Sequence, residues 1–322
     1  MQTTMFWNEP QSTTRATLTG PFLSLLMSLG ALLFSVGAMA QEAPLVQPGT
    51  TVKISDHVHI IPDNSRPTVP NVGFVVGEKA VLVVDTGMGR RNGETVVNEA
   101  QKLAGNKPLY LVTTHVHPEH DLGAEAFPAT TKMIRARTQV NEITEFGMQM
   151  ADVFRKRSDA MRELLEGAQF RKADIVFDEE YSLDLGGVRA RIFAMGSNHT
   201  PGDTVTLVEQ DGVMFSGDVA MKNQPAFASP KSSLMQWLTS LDRLEAMKPR
   251  LLVPSHGPTG DASFISNYRA YLTRIRDQAS AAKRDGKSLE ETTKTIVEEL
   301  KTQYPDAGRL SGAVRVAYNE AK

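Results

Sequence analysis

The chain contains no cysteine. A disulfide, a thiolate ligand and a thiolate nucleophile are all excluded, so stability has to come from the core and from any bound metal. Little charge is left over either: the formal net charge is −2. Both signs are scattered along the chain, no strongly basic face is implied, and nucleic acid is a poor expectation as a partner. Linkers, internal repeats and low-complexity segments are lacking too. With 322 residues, 41% of them hydrophobic, the composition suits a globular protein with one large domain over 41–322.

One long apolar run is present, Pro21 to Ala40, ending in Ala38-Met39-Ala40 ahead of Gln41. Its small residues and that small-x-small ending predict a signal peptide over 1–40, and hence a periplasmic or secreted product. A retained transmembrane anchor is the competing reading, since about 17 to 20 apolar residues just span a bilayer. The region before the run is weakly charged for such a leader, with Arg15 offset by Glu9. It has no twin arginine, and the chain offers no cysteine for lipidation.

Downstream, short apolar runs alternate with helical periodicity. Strands are predicted at Val52 to Ile61, Val72 to Val76, Ala80 to Val84 and Leu109 to Thr113, with a helix from about Asn92 to Leu103. Val140, Ile143, Met150, Phe154, Met161 and Leu165 recur at helical spacing and predict one long helix from Gln139 to Gly167. Strands return at Asp174 to Leu185, Val188 to Ala194, Val205 to Val208, Val213 to Ser216 and Leu251 to Pro254. Ser232 or Ser233 caps a helix that Pro249 terminates, and two helices close the chain, the second opened by a Ser288-x-x-Glu291 capping box. This is an α/β pattern, and in such folds sites form at the carboxyl ends of strands.

Five of the seven histidines fall into spaced motifs: His115, His117 and His120 in TTHVHPEHD, His199 in NHTPGD and His256 in PSHGP. Glu119 and Asp218 accompany them, each in a turn. Neutral imidazole is the commonest protein ligand for zinc and similar ions. His-x-His cannot share a helix face, but on extended backbone alternate residues point the same way, so His115 and His117 can clasp one ion. Pro118 then turns the chain, and Glu119 and His120 address a second position. Asp121 reads as the N-cap of the segment that follows rather than as a ligand. His57 and His59 read as solvated or satisfied residues of the first strand.

The order HxHxEH, His in HTPGD, Asp in SGD and His in PSHG resembles the metallo-β-lactamase superfamily, as does the upstream Val83-Val84-Asp85-Thr86-Gly87. The resemblance spans about Val52 to Tyr268. It implies an αββα four-layer sandwich with a binuclear site on one edge of the two sheets. It further implies that His115, His117 and His199 hold one metal, that Glu119, His120 and His256 hold the other, and that Asp218 bridges. Asp85 is implied to orient the histidine loop without binding metal. One departure matters: the family's usual HxHxDH aspartate is Glu119 here, longer by one methylene, which puts the second ion's position and affinity in question.

What the resemblance implies chemically is a metal-dependent hydrolase of a small-molecule ester, lactone, thioester or amide, β-lactams included. Two Zn2+ ions would lower the pKa of a water between them, with Glu119 or Asp218 accepting a proton in passing. Lactamase subtypes with a thiolate ligand are excluded. Apolar segments at the expected mouth, Pro62 to Asn71, Phe146 with Met150, and Met221 to Pro230 with Phe227, suggest a neutral or partly apolar substrate. The expected partner is that small molecule, with no stable membrane insertion once the leader is removed. Two other readings stay open: a mononuclear-iron dioxygenase on the same scaffold, and an accessory metalloprotein of a periplasmic quinoprotein or sulfur-oxidation system.

Overall fold

Valine-rich runs only four or five residues long, apolar at every position, suit strands that are covered on both faces. Together with more polar strands they build two sheets in the computed structural model, which describes residues 42–322. The leader expected over 1–40 lies outside the described residues. The first sheet runs in order β1 (Val52–Lys53), β2 (Val58–Ile61), β3 (Val72–Val76), β4 (Val81–Val84), β5 (Leu109–Val112), β6 (Lys132–Ala136) and β7 (Ile175–Phe177). β1 to β4 pair antiparallel, and β4 to β7 pair parallel. The second sheet reads β12 (Leu251–Pro254), β11 (Val213–Gly217), β10 (Asp203–Val208), β9 (Arg189–Gly196), β8 (Glu180–Asp184), with only β11 and β12 parallel.

Strand alternation then sorts side chains into layers. From β4, Leu82 and Val84 face the second sheet and meet Ile192, Val213, Phe215 and Val253. Val81 and Val83 face outward and meet Val96, Val97 and Ala100 of α1 (Gly89–Ala104). Phe215 fills the space over Gly73, where a Cβ would fall 2.1 Å from its ring. On the outer face of the second sheet lie α6 (Leu234–Ala246), α7 (Ser263–Arg284), α8 (Leu289–Leu300) and α9 (Ala307–Glu320), packed through Trp237, Leu241, Ile265, Leu272 and Val314. The four layers are the αββα order that the resemblance implies.

Several local expectations need correction. The predicted strand from Asp174 to Leu185 is two strands: the chain leaves the first sheet after Phe177 and enters the second at Glu180. The long helix is interrupted. It comprises α3 (Arg137–Glu142), a wider π-helical turn (Ile143–Gly147), α4 (Met148–Arg155) and α5 (Asp159–Leu164). Ser158 restarts it, its hydroxyl accepting from the backbone N–H of Met161. Three helices rather than two close the chain, and β6 has no counterpart in the sequence reading. The Ser233 cap and the Ser288–Glu291 capping box form as read.

Candidate metal centre

The carboxyl ends of β4, β5, β11 and β12, and the turn between β9 and β10, lie at one edge of the two sheets. A hydrogen bond from Thr204 N–H to Thr114 C=O (2.8 Å) joins the sheets there. Beyond β5 the loop bends through His115 and His117, and Pro118 opens the short α2 (Pro118–Asp121) that presents Glu119 and His120. Gly93 of α1 packs on this segment so closely that a Cβ would stand 2.0 Å from the Gly123 carbonyl. Asp218 follows β11, His256 follows β12, and His199 sits in the β9–β10 turn.

The structure brings all seven sequence-predicted residues together. His115 Nε2 lies 3.2 Å from His117 Nδ1, which lies 3.1 Å from His199 Nε2. The ligand atoms of these three are within 4.8 Å of one another, and so are those of Glu119, His120 and His256. Asp218 groups in the same way with His115 and His120, one residue from each set. Glu119 Oε1 is 4.0 Å from His120 Nε2, so the extra methylene leaves its carboxylate within the group. All seven side chains are buried except His256, which is half-buried.

Hydrogen bonds at the far ring nitrogens fix which nitrogen each imidazole offers. His199 Nδ1–H donates to Phe227 C=O and His256 Nδ1–H to Val69 C=O, both at 2.9 Å. Asp85 takes His120 Nδ1–H at 2.9 Å, the Thr114 hydroxyl at 2.9 Å and Thr114 N–H at 2.7 Å. With its own proton committed to Asp85, the Thr114 oxygen accepts from His115 Nδ1, 3.1 Å away. Asp85 holds this position in the left-handed region, at φ 66°. Asp63 and Asn71 pin the His256 loop, through Gly257 N–H to Asp63 (2.7 Å) and Asn71 Nδ2 to the carbonyls of Pro254 and Gly257 (2.8 Å each).

His115 Nε2 and His199 Nε2 are both acceptors facing His117 Nδ1, and the single proton that Nδ1 can carry serves only one of them at a time. Glu119 Oε2, His120 Nε2 and Asp218 Oδ1 are buried with no hydrogen-bond partner among the described residues. Leaving such atoms unsatisfied costs about 1–3 kcal/mol each, more where charge is involved. Divalent cations would satisfy the whole set, and imidazole with carboxylate is a donor set suited to zinc or iron. The residues present therefore fit a metal centre.

Protonation follows the same logic. Burial, with neighbouring imidazoles adding to it, holds His115 and His117 well below the usual histidine range. Burial likewise lowers His199 to about 4 although Asp218 opposes it. These three are neutral ligands at pH 7. Burial also disfavours charge on His120, yet Asp85, Glu119 and Asp218 outweigh it and raise it to about 9, so a cation at Nε2 must displace a proton. Asp218 stays ionised: burial would raise it, but His199, His256 and His120 hold it below the usual carboxylate range.

Asp121 is neither ligand nor cap. It makes no capping bond; its buried carboxylate instead receives both arms of Arg135 (2.5 and 2.8 Å) and the Thr113 hydroxyl (2.7 Å). His57 lies just before β2 and pairs with Asp211 (2.6 Å), while His59 lies in β2; both are outside the metal groups. Of the expected mouth residues, Phe227 stands 5.7 Å from His117 and 5.6 Å from His199, ring to ring. Phe146 instead lies under Lys231, and it is Phe154 whose ring meets His117, at 5.8 Å. Sequence reading also missed Arg157, stacked on Phe154 at 3.7 Å, and Glu142, buried behind the His199 turn with its carboxylate on Gly202 N–H (2.9 Å). Phe154 was visible only as one apolar residue in a helical stripe, and nothing local distinguished it.

Comparison with known proteins agrees with this geometry. The sequence profile of the metallo-beta-lactamase superfamily matches residues 65–256. A metallo-beta-lactamase type 2 of Elizabethkingia meningoseptica is 23% identical over 267 residues, covering 80% of this chain and 97% of its own. An acyl-coenzyme A thioesterase of Homo sapiens is 24% identical over 220 residues, covering 62% of this chain and 78% of its own. Among solved structures, a stereoselective inverting sec-alkylsulfatase from Pseudomonas sp. superposes with a TM-score of 0.67 at 14% identity, over 84% of this chain and 49% of that one. At that identity the likeness is one of fold.

Proposed function

The chain belongs to the metallo-β-lactamase superfamily, and from that premise we propose that it is a zinc-dependent hydrolase of a small-molecule ester, lactone, thioester or amide, with two ions at the centre. His115, His117 and His199 would hold one ion and Glu119, His120 and His256 the other, with Asp218 between them. The observation that carries this reading is the convergence of ring nitrogens and partnerless carboxylate oxygens into two groups joined through Asp218. Bound metal supplies Lewis acidity and brings the pKa of water toward neutrality.

The chain's own residues do the rest. Three of the histidines are neutral at pH 7, and the backbone carbonyls, Thr114 and Asp85 prevent four of the rings from turning away. Glu119 and Asp218 each carry two carboxylate oxygens, and one of them not engaged by metal would be available to accept a proton. Phe154 and Phe227 shield the His117 side from water. The relatives named above act, by their names, on a β-lactam, a thioester and a sulfate ester. That range supports the reaction class and leaves the bond type to a substrate screen. The leader pattern supports export, for which mass spectrometry of the secreted or periplasmic protein should give Gln41 as first residue.

Elemental analysis of the mature protein, beside Glu119→Asp, tests the centre. Two zinc ions per chain, with ester or lactone turnover abolished in His115→Ala and His199→Ala, is the expected result. A single iron with oxygen consumption would overturn it, as would full activity in either alanine variant.

A further inference from the structure

The three-histidine group draws on both sheets. His115 and His117 follow β5 of the first, and His199 lies in the turn between β9 and β10 of the second. Helix α3 starts directly after β6, the strand beside β5, and touches both segments. Gln139 and Glu142, three residues apart and so neighbours on one face of α3, reach one segment each. Gln139 Nε2 donates to Thr113 C=O at 2.8 Å and to Thr114 C=O at 3.3 Å, just ahead of His115. Glu142 Oε2 accepts from Gly202 N–H at 2.9 Å, a few residues beyond His199. The fit is close, since a Cβ on Gly202 would fall 2.8 Å from Gln139 Cα. Asp203 ties that turn together, its carboxylate accepting from His199 N–H at 2.7 Å and from the Thr200 hydroxyl at 2.8 Å.

Neither side chain is what packing alone would favour at its position. Gln139 is fully buried, and its Oε1 has no hydrogen-bond partner among the described residues. Glu142 is a buried carboxyl. A partnerless amide oxygen or a carboxyl held away from water costs stability that an apolar side chain of the same size would not. Departures of that kind gather at functional sites. Both side chains spend their bonds on segments that carry ligands of the same group. His120 and His256 lean elsewhere, on Asp85 and Val69, and the His256 loop on Asp63 and Asn71; none of these lies in α3.

Resting on the reading of the site as a metal centre, we propose that Gln139 and Glu142 are positioning residues for the ion held by His115, His117 and His199. Helix α3 acts as a strut that sets the separation of the two segments bearing those ligands. An ion needs its donor atoms placed to within about 0.2 Å. Segments arriving from different sheets share no bonded frame that would keep such a spacing. Thr204 joins them at one residue, through its N–H to Thr114 C=O at 2.8 Å and its hydroxyl to Thr113 C=O at 3.1 Å. A joint at one residue leaves them free to pivot. Ties from a single helix to Thr113 and Thr114 on one side and to Gly202 on the other remove that freedom. Reach, rather than charge, is what the role requires of each side chain.

Length variants test the strut while leaving every ligand in place. Gln139→Asn and Glu142→Asp keep the polar group and shorten its reach by one methylene, whereas Glu142→Gln keeps both reach and acceptor. Each protein would be stripped of metal and loaded with cadmium, whose NMR resonances report each ion by its donors. The three-histidine resonance is the one lost in His199→Ala. Chelator competition then gives an affinity for each ion, and urea denaturation of the same samples confirms folding. Gln139→Asn and Glu142→Asp should weaken the three-histidine ion roughly 10- to 100-fold and shift its resonance, with the other ion within about twofold of the parent. Glu142→Gln should stay near the parent. Asn71→Ala, which loosens the His256 loop, should give the opposite pattern. Parental affinities in both shortened variants, or equal losses at the two ions, would overturn the proposal. So would a Glu142→Gln protein as weak as Glu142→Asp. A parent that binds no cadmium would sink the metal-centre reading and the strut with it; two bound ions in the parent beside unmoved variants would sink the strut alone.

Discussion

Glu142 allows a quantitative test of how the His199 turn is supported. The side chain is 2% exposed and its Oε2 accepts from Gly202 N–H at 2.9 Å. Burial, with Asp203 adding to it, raises its carboxyl from 4.5 to about 8, against opposing bonds from Gly202 and Thr200. Because the folded pKa is the higher one, the stabilisation is complete below about pH 4.5 and is lost as pH rises through about 8. At about 1.4 kcal/mol per tenfold change in proton affinity, the total is on the order of 4–5 kcal/mol. Glu142→Gln keeps an acceptor for Gly202 and has no proton to lose. Urea denaturation of both proteins, at fixed metal, should give similar stabilities near about pH 5 and a widening advantage for the variant, approaching about 1.4 kcal/mol per pH unit before levelling above about pH 8. A difference that does not change with pH, or a variant less stable than the parent at about pH 9, would refute the assignment of this carboxyl as a proton-holding group.

Asp121→Ala should cost about 3–5 kcal/mol, because it strands the Arg135 guanidinium, 1% exposed, without its counter-charge; denaturant midpoints would read this. Gly93→Ala drives a methyl against the Gly123 carbonyl and should cost about 1–3 kcal/mol. Its metal content should fall as well, since Gly123 closes the segment that carries Glu119 and His120. Chelation should lower Tm, and zinc restored to about 100 times its Kd should return roughly 2.7 kcal/mol. An unchanged Tm would mean that the two ligand groups hold no metal under those conditions.

The ligand set was legible because each member sits in a short turn whose neighbours are diagnostic, so HVHPEH, HTPGD and PSHG could be read without knowing the fold. Asp85 was legible for the same reason, although its three bonds to Thr114 and His120 were not. Periodicity misled at 156–158, because Phe154 and Met161 stand seven residues apart and the apolar stripe runs on across a break that Ser158 caps. It misled at 178–179 too, where one run of strand-forming residues serves two sheets in succession. Asp121 looked like a cap because capping preference is local, whereas its partner Arg135 comes from the next strand. Arg157 carried no signal at all: it is an ordinary helix-end arginine until Phe154, on which it stacks, is seen to face His117.

Two of the rings at the centre are steered by main-chain oxygens, at Val69 and Phe227, in loops that also border the opening. A carbonyl belongs to every amino acid. Apart from Asp63, Asn71 and Phe227, whose side chains touch the ligand loops, side chains along those rims are thus free to be exchanged for others without loss of these two bonds, provided that the path of the chain is kept. Repertoire can drift here residue by residue while the catalytic geometry stays fixed, whereas an insertion or deletion in either loop would reach the metal directly.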